Sequence, residues 1–356
     1  MSSNPIKQAF DCVKDDEQLA DRVLEQARRG VKHRKIGHAA PLSAVVAVCA
    51  FCAFATGGTA YAIANSSFFA SAWGSHGQEQ TQTWTVEGGR ESYSYSRTFG
   101  DGTAPEGMED HVLEIGSSVS GNGYTLELDS MVADSNGCGA VTFTLSNPNG
   151  VSYYQPAADD GMLVLNGGAG TQQLDTMNML FGDGWADRRC VINKDESTET
   201  SIRGVMYFAT PQGAADYKQD ACWEINWHEG EGANETPYEK KTKPFKITDY
   251  VEARSFSCGS STVEVSPISI QNHIEDIGYS AVMDKMILKM KDGTERTILA
   301  EGVMNSFFGY IRDDGTCVDV VSELIDPSQI DQVIIEGRRD AADGSNEQET
   351  FSLTFS

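Results

Sequence analysis

Cysteine is the residue type in this 356-residue sequence whose chemistry allows the most alternatives. Five of the eight cysteines come after residue 64. Because this number is odd, at least one of them is a thiol or pairs with another chain. An oxidising compartment permits disulfides, but a large folded unit can equally bury thiols in its core, and spacing selects no pairing. The possible disulfide residues are Cys138, Cys190, Cys222, Cys258 and Cys317.

Other residues with reactive side chains lack the spacing that a catalytic or metal site needs. His228 and Glu229 are not followed by a second histidine four residues after the first, so the helical zinc-protease motif is absent. Residues 134–137 and 313–315 begin like calcium loops but lack a glutamate at the twelfth loop position, and we interpret them as turns. The sequence therefore predicts no catalytic residue, no metal site, no cofactor and no enzymatic activity.

The chain is acidic, and its charge is unevenly distributed along the sequence. Twenty-seven lysines and arginines oppose 52 aspartates and glutamates, a net charge of −25. This balance argues against direct nucleic-acid binding, because phosphate binding needs a basic face. Residues 1–38 have a net charge of +2, no charged residue occurs from 37 to 78, and residues 65–356 carry −27. Two compartments on either side of the uncharged run are the simplest explanation.

The uncharged run has the length and flanks of a transmembrane helix. Residues 39–64 would form a helix of about 39 Å, and the hydrocarbon core of a bilayer is about 30 Å thick. Basic residues crowd its N-terminal flank, and no lysine or arginine follows it before Arg90. The positive-inside rule then predicts a cell-membrane protein with residues 1–38 in the cytoplasm and 65–356 outside. The predicted anchor flanks, including an aromatic interfacial belt, are Arg28, Arg29, Lys32, Arg34, Lys35, Phe68, Phe69 and Trp73.

A cleaved signal peptide is the competing interpretation of the same run. Its strongest apolar part, from Ala44 to Ala55, has the length of a signal-peptide core. Small residues would allow cleavage after Ala62 or Ala64. The segment before the apolar part, however, is more than 40 residues long and contains six acidic residues. We therefore favour the uncleaved anchor, and a mature N-terminus at Ile63 or Asn65 would contradict it.

The N-terminal segment 1–38 has the pattern of two short amphipathic helices. Apolar residues recur at helical spacing in both, and Asp15 and Asp16 favour the start of the second helix. Thirty-odd residues are too few to bury an adequate core alone. The apolar faces therefore either bind a partner or lie on the inner leaflet. The predicted partner-binding residues are Ile6, Phe10, Val13, Val23 and Leu24.

The exterior has the pattern of antiparallel β structure. Asp-Gly or Asn-Gly dipeptides, the strongest short turn signals, occur ten times after residue 100. Short alternating apolar runs lie between them, and the clearest hairpin is 286–299 around Asp292 and Gly293. We predict a mainly β exterior of two antiparallel sandwiches. Its predicted parts are a Ser/Gly-rich stalk at 65–109, a first β domain at 110–232, a linker at 230–243 and a second β domain at 244–356.

Four stretches of the sequence carry a resemblance to a known family. They are 6–11 with 16–19, 64–69, 123–128 with 132–134, and 325–337. In this order along the chain, they resemble a bacterial family of single-pass membrane proteins with a domain of unknown function, described as anti-sigma-factor-like. The resemblance implies immunoglobulin-like outer domains that sense an envelope signal and a cytoplasmic N-terminus that holds a sigma factor. The zinc-binding anti-sigma motif H-x-x-x-C-x-x-C does not occur in this sequence.

The sequence thus leaves two function classes. The first is a membrane-anchored envelope sensor or regulator whose cytoplasmic helices bind a transcription factor. The second is an anchored or secreted acidic β-sandwich protein used for binding or adhesion, with N-terminal helices that serve only targeting. The two differ in whether function persists in the exterior alone, and the outer ligand is unknown in both.

Overall fold

The computed structural model describes ten ranges of the chain, and contacts divide the chain into residues 1–64 and 65–356. Among the described residues no helix is long and apolar enough to cross a membrane. The predicted cytoplasmic helices, their partner-binding residues, the basic flank and the span at 39–64 all lie outside these ranges. The described ranges are 68–74, 81–88, 91–121, 123–151, 153–154, 164–166, 174–229, 236–275, 282–340 and 348–356.

The described residues are mainly β, as predicted. Residues 68–73 are helical, and 3-10 helices occur at Met108–His111, Gly213–Lys218 and Pro327–Gln329. The strands are β1 (Thr81–Gly88), β2 (Glu91–Thr98), β3 (Leu113–Gly121), β4 (Tyr124–Ala133), β5 (Cys138–Ser146), β6 (Tyr153–Tyr154), β7 (Val164–Asn166), β8 (Leu174–Phe181), β9 (Gly184–Trp185), β10 (Asp187–Thr198), β11 (Ser201–Ala209), β12 (Ala221–Glu229), β13 (Thr236–Lys241), β14 (Arg254–Cys258), β15 (Ser261–Val265), β16 (Ser269–His273), β17 (Val282–Met290), β18 (Glu295–Ala300), β19 (Val303–Met304), β20 (Ser306–Ile311), β21 (Cys317–Val321), β22 (Ile330–Asp340) and β23 (Gln348–Phe355).

The strands form four sheets whose neighbours are antiparallel except for one parallel contact. Sheet 1 has the order β10-β11-β5-β4-β3, and sheet 2 has the order β13-β12-β8-β7-β6 with β9 beside β8. Sheet 3 has the order β14-β15-β16-β21-β20, and sheet 4 has the order β1-β2-β19-β18-β17-β22-β23. The parallel contact joins β19 to β2 at Val303 and Ser96. Sheets 1 and 2 come from the first half of the folded unit, and sheets 3 and 4 come mainly from the second.

The sheets pack as two pairs, each with its own apolar core. Sheets 1 and 2, the first pair, face each other across a core in which the Phe143 and Trp223 rings lie 5.5 Å apart. Sheets 3 and 4, the second pair, enclose a core that contains Phe256, Leu288 and Val333. Two sheets that bury one face each against the other remove both apolar surfaces from water, which is the main favourable term in folding.

A third core, the junction core, lies between sheet 1 and sheet 3. It includes the outward-facing residues of β5 and β11 in sheet 1 and of β21 in sheet 3, together with the helical residues 68–73. Sheets 1 and 3 are therefore covered on both faces, which explains why β11 is buried along most of its length instead of alternating. The large residues of the junction core are Phe68, Phe69, Trp73, Phe99, Met108, Tyr207, Ile268, Phe307 and Leu324.

Most of the predicted turn signals that the structure describes are confirmed. Of the seven dipeptides whose glycine the structure describes, six have a glycine with a positive φ, the conformation that glycine adopts without steric cost, and the seventh glycine, Gly184, begins β9. The strongest predicted hairpin is also confirmed: β17 pairs with β18, and the Gly293 amide donates to the Met290 carbonyl at 2.9 Å. The six glycines are Gly102, Gly123, Gly137, Gly150, Gly293 and Gly315.

The aromatic residues that we assigned to a membrane interface belong to the junction core instead. Phe69 and Trp73 are fully buried, and Phe68 is 5% exposed. The Trp73 indole N–H donates to the Val321 carbonyl at 3.0 Å, and its ring packs edge-on against Tyr207. An apolar cluster after an uncharged run has the same pattern whether it faces lipid or a protein core. The structure therefore corrects the interfacial belt of Phe68, Phe69 and Trp73.

The segments that we predicted as a Ser/Gly-rich stalk and as a linker both contain strands. The predicted stalk at 65–109 includes β1 and β2, which extend sheet 4, as well as the buried helical turn. The predicted linker at 230–243 includes β13, which pairs with β12 at the edge of sheet 2. Both β1 and β13 lie at the edge of their sheet.

Replacement of Trp73 by alanine tests the helical turn in the junction core. We expect a loss of about 3–5 kcal/mol in the free energy of unfolding, because a fully buried indole leaves a large cavity. Denaturant unfolding of the full chain measures this loss. Trp185 is 56% exposed, so the matched control Trp185→Ala should change the same quantity by no more than about 0.5 kcal/mol. Equal losses in the two variants would contradict the buried position of Trp73.

Candidate functional site

A buried carboxylate joins the two sheet pairs. Asp134 follows β4 in the first pair and is fully buried. Its Oδ2 atom accepts hydrogen bonds from the hydroxyls of Ser266 and Ser269 in the second pair, both at 2.5 Å. Its Oδ1 atom accepts the Cys138 amide at 2.9 Å. Three hydrogen-bond donors are thus directed at a carboxylate whose charge would be costly to bury without partners.

A buried guanidinium makes the reciprocal connection. Arg312 follows β20 in the second pair and is 7% exposed. Its Nε atom donates to the Thr210 carbonyl at 3.1 Å, and its Nη2 atom donates to the Asn136 carbonyl, both in the first pair. Its Nη1 atom donates to Gln271 Oε1 within the second pair. Each sheet pair therefore contributes one ionisable side chain, and each of these side chains has hydrogen-bond partners in both sheet pairs.

Tight turns hold these two groups in place. Residues 134–137 form a turn in which the Gly137 amide donates to the Asp134 carbonyl at 3.1 Å. Residues 312–316 form another, in which the Arg312 amide donates to the Thr316 carbonyl and the Gly315 amide donates to the Arg312 carbonyl, both at 2.9 Å. Both segments were predicted as turns. The turns fix the backbone, and the hydrogen bonds described above hold the two charged side chains.

The first turn also approaches the 3-10 helix at Gly213–Lys218 very closely. A Cβ atom added at Gly137 would lie 2.3 Å from the Gly213 Cα and 2.5 Å from the Thr210 Oγ1. Gly137 also has a φ of +80°. Glycine at this position therefore meets two requirements at once, a left-handed backbone and contact with a neighbouring backbone.

A cavity of about 590 Å³, the junction cleft, opens beside the two turns. The first sheet pair lines it with Ser135 and with residues 211–215. The second pair lines it with Gln271, with Arg312 and with the turn residues 313, 314 and 316. Clefts of this size that lie between folded units are common small-molecule sites in proteins. The junction cleft is therefore our candidate functional site.

Burial raises the pKa values of the acidic groups around the junction. The pKa of Asp134 rises to about 6 because burial disfavours the ionised form, although the two serine hydroxyls, the Cys138 amide and Arg312 oppose the rise. Burial also raises the pKa of Asp319 on β21 to about 6, against a hydrogen bond from Ser306. Both carboxyl groups thus bind protons more readily in the folded chain than in water.

The five cysteines that we considered for disulfides form none with one another. Cys138 and Cys190 are buried, and Cys222, Cys258 and Cys317 are half-buried. Burial and the nearby Asp134 raise the pKa of the Cys138 thiol well above its usual range. Since the thiolate is the reactive form, Cys138 is an inert core residue. Burial in the core is the alternative that the sequence had left open.

Sequence reasoning missed most of the residues that form the site. It considered residues 134–137 and 313–315 only as turns, and it gave no role to Arg312, Ser266 or Ser269. Arg312 and Asn136 are 176 positions apart, so no local pattern connects them. Among the described residues there is also no group of three or more His, Cys, Asp or Glu side chains that could hold a metal ion.

Comparison with known proteins assigns this chain to no family: no family model matches it, and no curated protein matches it. The anti-sigma-factor-like resemblance, the cytoplasmic partner and the membrane location consequently remain predictions. The prediction that the chain is not an enzyme has the same standing.

Replacement of Gly137 by alanine tests the close approach of the first turn. The matched control is Gly293→Ala, because Gly293 has a φ of +86° but open space where a Cβ would lie. We expect the control to lose about 1 kcal/mol in the free energy of unfolding, from backbone strain alone. Gly137→Ala should lose about 1–3 kcal/mol more, from the added overlap. Equal losses in denaturant unfolding would refute the contact.

The pH dependence of stability tests the buried Asp134. Its folded pKa of about 6 lies above the reference value of 3.8, so the folded state binds more protons between these values. The free energy of unfolding should therefore fall as the pH rises from about 4 to about 6 and should change little above that, a loss of about 3 kcal/mol from this group. Asp134→Asn should remove this part of the slope.

The control for this measurement is Asp319→Asn, since Asp319 has the same direction of shift. Each single variant should flatten part of the profile, and the double variant should flatten more than either. Denaturant unfolding at a series of pH values provides the profile. If Asp134→Asn kept the slope of the unmodified chain, the carboxyl group would not be titrating in a buried site.

Proposed function

We propose that this chain is a membrane-anchored envelope sensor or regulator of the anti-sigma-factor-like kind, whose N-terminal helices bind a cytoplasmic transcription factor, in the first instance a sigma factor. One observation carries the proposal. The boundary between the two contact units, at Ala64 and Asn65, coincides with the end of the predicted span at 39–64. A folded acidic unit therefore begins where the predicted span ends, and a short, near-neutral segment precedes the span.

The finer architecture belongs to the same proposal. We infer one transmembrane helix at 39–64 and two immunoglobulin-like sandwiches outside. The two sheet pairs, each antiparallel with its own apolar core, are consistent with such sandwiches. The basic flank before the span and the absence of lysine and arginine after it until Arg90 support the orientation.

The junction core suggests how the exterior communicates with the anchor. Residues 68–73 are only a few positions after the predicted span, and four of them, Phe68, Phe69, Ala72 and Trp73, are buried in the junction core. A change in how the two sheet pairs meet would alter the packing of Trp73 and Tyr207. Such a change would alter the conformation of the chain that leads into the membrane. Transmission of a signal requires a coupling element of this kind.

The second candidate function is an anchored or secreted acidic binding or adhesion protein. The charge of −27 on residues 65–356 favours it, because a strongly negative surface attracts cationic neighbours. In that case the exterior alone would bind its target, and the N-terminal helices would have no partner. The two candidates therefore differ in what accompanies the full chain from cells.

The test is a gentle crosslink in native cells, followed by purification through a C-terminal tag and mass spectrometry of the recovered proteins. The regulatory function predicts a full-length chain that carries a transcription factor, which is lost when residues 2–32 are deleted. A chain that begins at Ile63 or Asn65, with only envelope material attached, would reject it and favour the second candidate.

Replacement of Phe10 by alanine sharpens this test. If Phe10 is a buried anchor of the complex, the variant should weaken partner binding by about 1–3 kcal/mol. Gln8 lies off the apolar stripe of Ile6, Phe10 and Val13, so Gln8→Ala is the matched control and should bind normally. Quantitative co-purification measures both variants, and equal recovery of the partner with both would count against Phe10 as a contact residue.

A further inference from the structure

We propose that the junction cleft binds a small zwitterion, a molecule that carries both a carboxylate and an ammonium group, the class of free amino acids and short peptides. The inference rests on the proposed sensing function for its purpose in the cell, but the binding itself depends only on the cleft. At about 590 Å³ the cleft has room for a ligand of this size.

Arg312 supplies the carboxylate-binding end of the cleft. Its guanidinium lines the cavity although the residue is more than nine-tenths buried. Three of its five N–H groups, one on each nitrogen, donate hydrogen bonds to described residues. The second N–H groups of Nη1 and Nη2 thus remain for a ligand. A carboxylate is the anion that matches a guanidinium best, because it can accept two parallel hydrogen bonds.

Asp313 and Asp314 supply the ammonium-binding end. Both are exposed at the mouth of the cleft and directly follow Arg312 in the turn. The Thr316 amide donates to Asp314 Oδ1 at 2.9 Å. This hydrogen bond lowers the pKa of Asp314, so its carboxylate is ionised at neutral pH. The turn that contains Arg312 therefore also fixes the Asp314 carboxylate near the guanidinium, and Asp313 adds a second acidic residue to the lining.

Opposite charges on one wall of the cleft select against ligands that carry a single charge. An anion bound to Arg312 alone would be repelled by Asp313 and Asp314. A cation bound to the two aspartates alone would face the guanidinium. A zwitterion satisfies both ends, and the small residues Pro211, Ala214 and Ala215, which the first sheet pair contributes to the lining, leave space for a short aliphatic side chain. Specificity then comes from unfavourable as well as favourable contacts.

The position of the cleft connects ligand binding with the proposed regulation. An occupant would touch residues 211–215 of the first sheet pair and Arg312 to Asp314 of the second. It would therefore favour the arrangement in which the two pairs meet as the structure describes. The ligand would shift an equilibrium only through its higher affinity for this arrangement.

The experiment is isothermal titration of the full chain in detergent with L-alanine and L-alanyl-L-alanine. Propionate and ethylamine, which carry only the carboxylate or only the ammonium, are the matched probes. We expect at least one zwitterion to bind about tenfold or more tightly than either matched probe, since each end contributes a charged hydrogen bond. Absence of binding by both zwitterions, or equal binding by propionate or ethylamine, would overturn the proposal.

Variants identify the cleft as the site. Asp313→Asn should weaken zwitterion binding about tenfold or more and should leave propionate binding unchanged or improved. Asp331 is exposed on β22, outside the cleft, so Asp331→Asn is the matched control and should bind like the unmodified chain. Equal effects of the two variants would assign the result to overall charge and reject the site. Arg312→Lys, where it folds, should lose carboxylate affinity.

A separate measurement distinguishes failure of this inference from failure of the proposed function. The amount of transcription factor retained by the full chain is compared with and without L-alanine. If L-alanine binds but the amount of retained transcription factor is unchanged, the cleft is a binding site without the proposed regulatory role. Retention of the partner without any zwitterion binding would keep the proposed function and reject the cleft.

Discussion

Reciprocal hydrogen bonds to two buried charged side chains, one from each sheet pair, are the constraint on which the rest of the folded unit depends. Asp134 of the first sheet pair accepts hydrogen bonds from two serine hydroxyls of the second pair. Arg312 of the second pair donates hydrogen bonds to two backbone carbonyls of the first. If the two sheet pairs moved apart and no water took their place, both charged groups would lose hydrogen-bond partners. Buried ionic groups contribute little net stability, but they penalise every arrangement that leaves them unpaired. Apolar packing thus stabilises the contact between the sheet pairs, and the hydrogen bonds to the two buried charges fix its geometry.

The junction core explains why the segment before the first strands is part of the folded unit. Sheets 1 and 3 each have a second apolar face that would be exposed without a partner. The helical turn at 68–73 fills the space between them, and the Tyr207 hydroxyl donates to the Ala72 carbonyl. Tyr207 also stacks on Phe307, with 3.7 Å between ring centroids. One aromatic residue therefore contacts the helical turn, sheet 1 and sheet 3 together.

Sequence predicted the local features of this fold well and the remote ones poorly. Alternation and Asp-Gly turns identified the β17–β18 hairpin, because both signals lie within a few residues of each other. The role of Arg312 depends on carbonyl groups about 100 and 176 positions away, and a carbonyl belongs to every residue, so no side-chain pattern marks its partners. The prediction for Trp73 was wrong for a different reason. Hydrophobicity records that a side chain avoids water, not whether lipid or protein replaces it.

The site and the junction share the same two turns, and this has a physical consequence. Arg312 donates two N–H groups to carbonyls of the first sheet pair and a third to Gln271 of the second, and its side chain also lines the cleft. Asp134 lies fully buried close behind the same guanidinium, whose charge favours the ionised carboxylate. A carboxylate that enters the cleft would compete with Asp134 for this positive charge, and protonation of Asp134 would free it. If the cleft binds a carboxylate as proposed, ligand affinity and proton binding at Asp134 would therefore be linked through Arg312, the side chain that also joins the two sheet pairs.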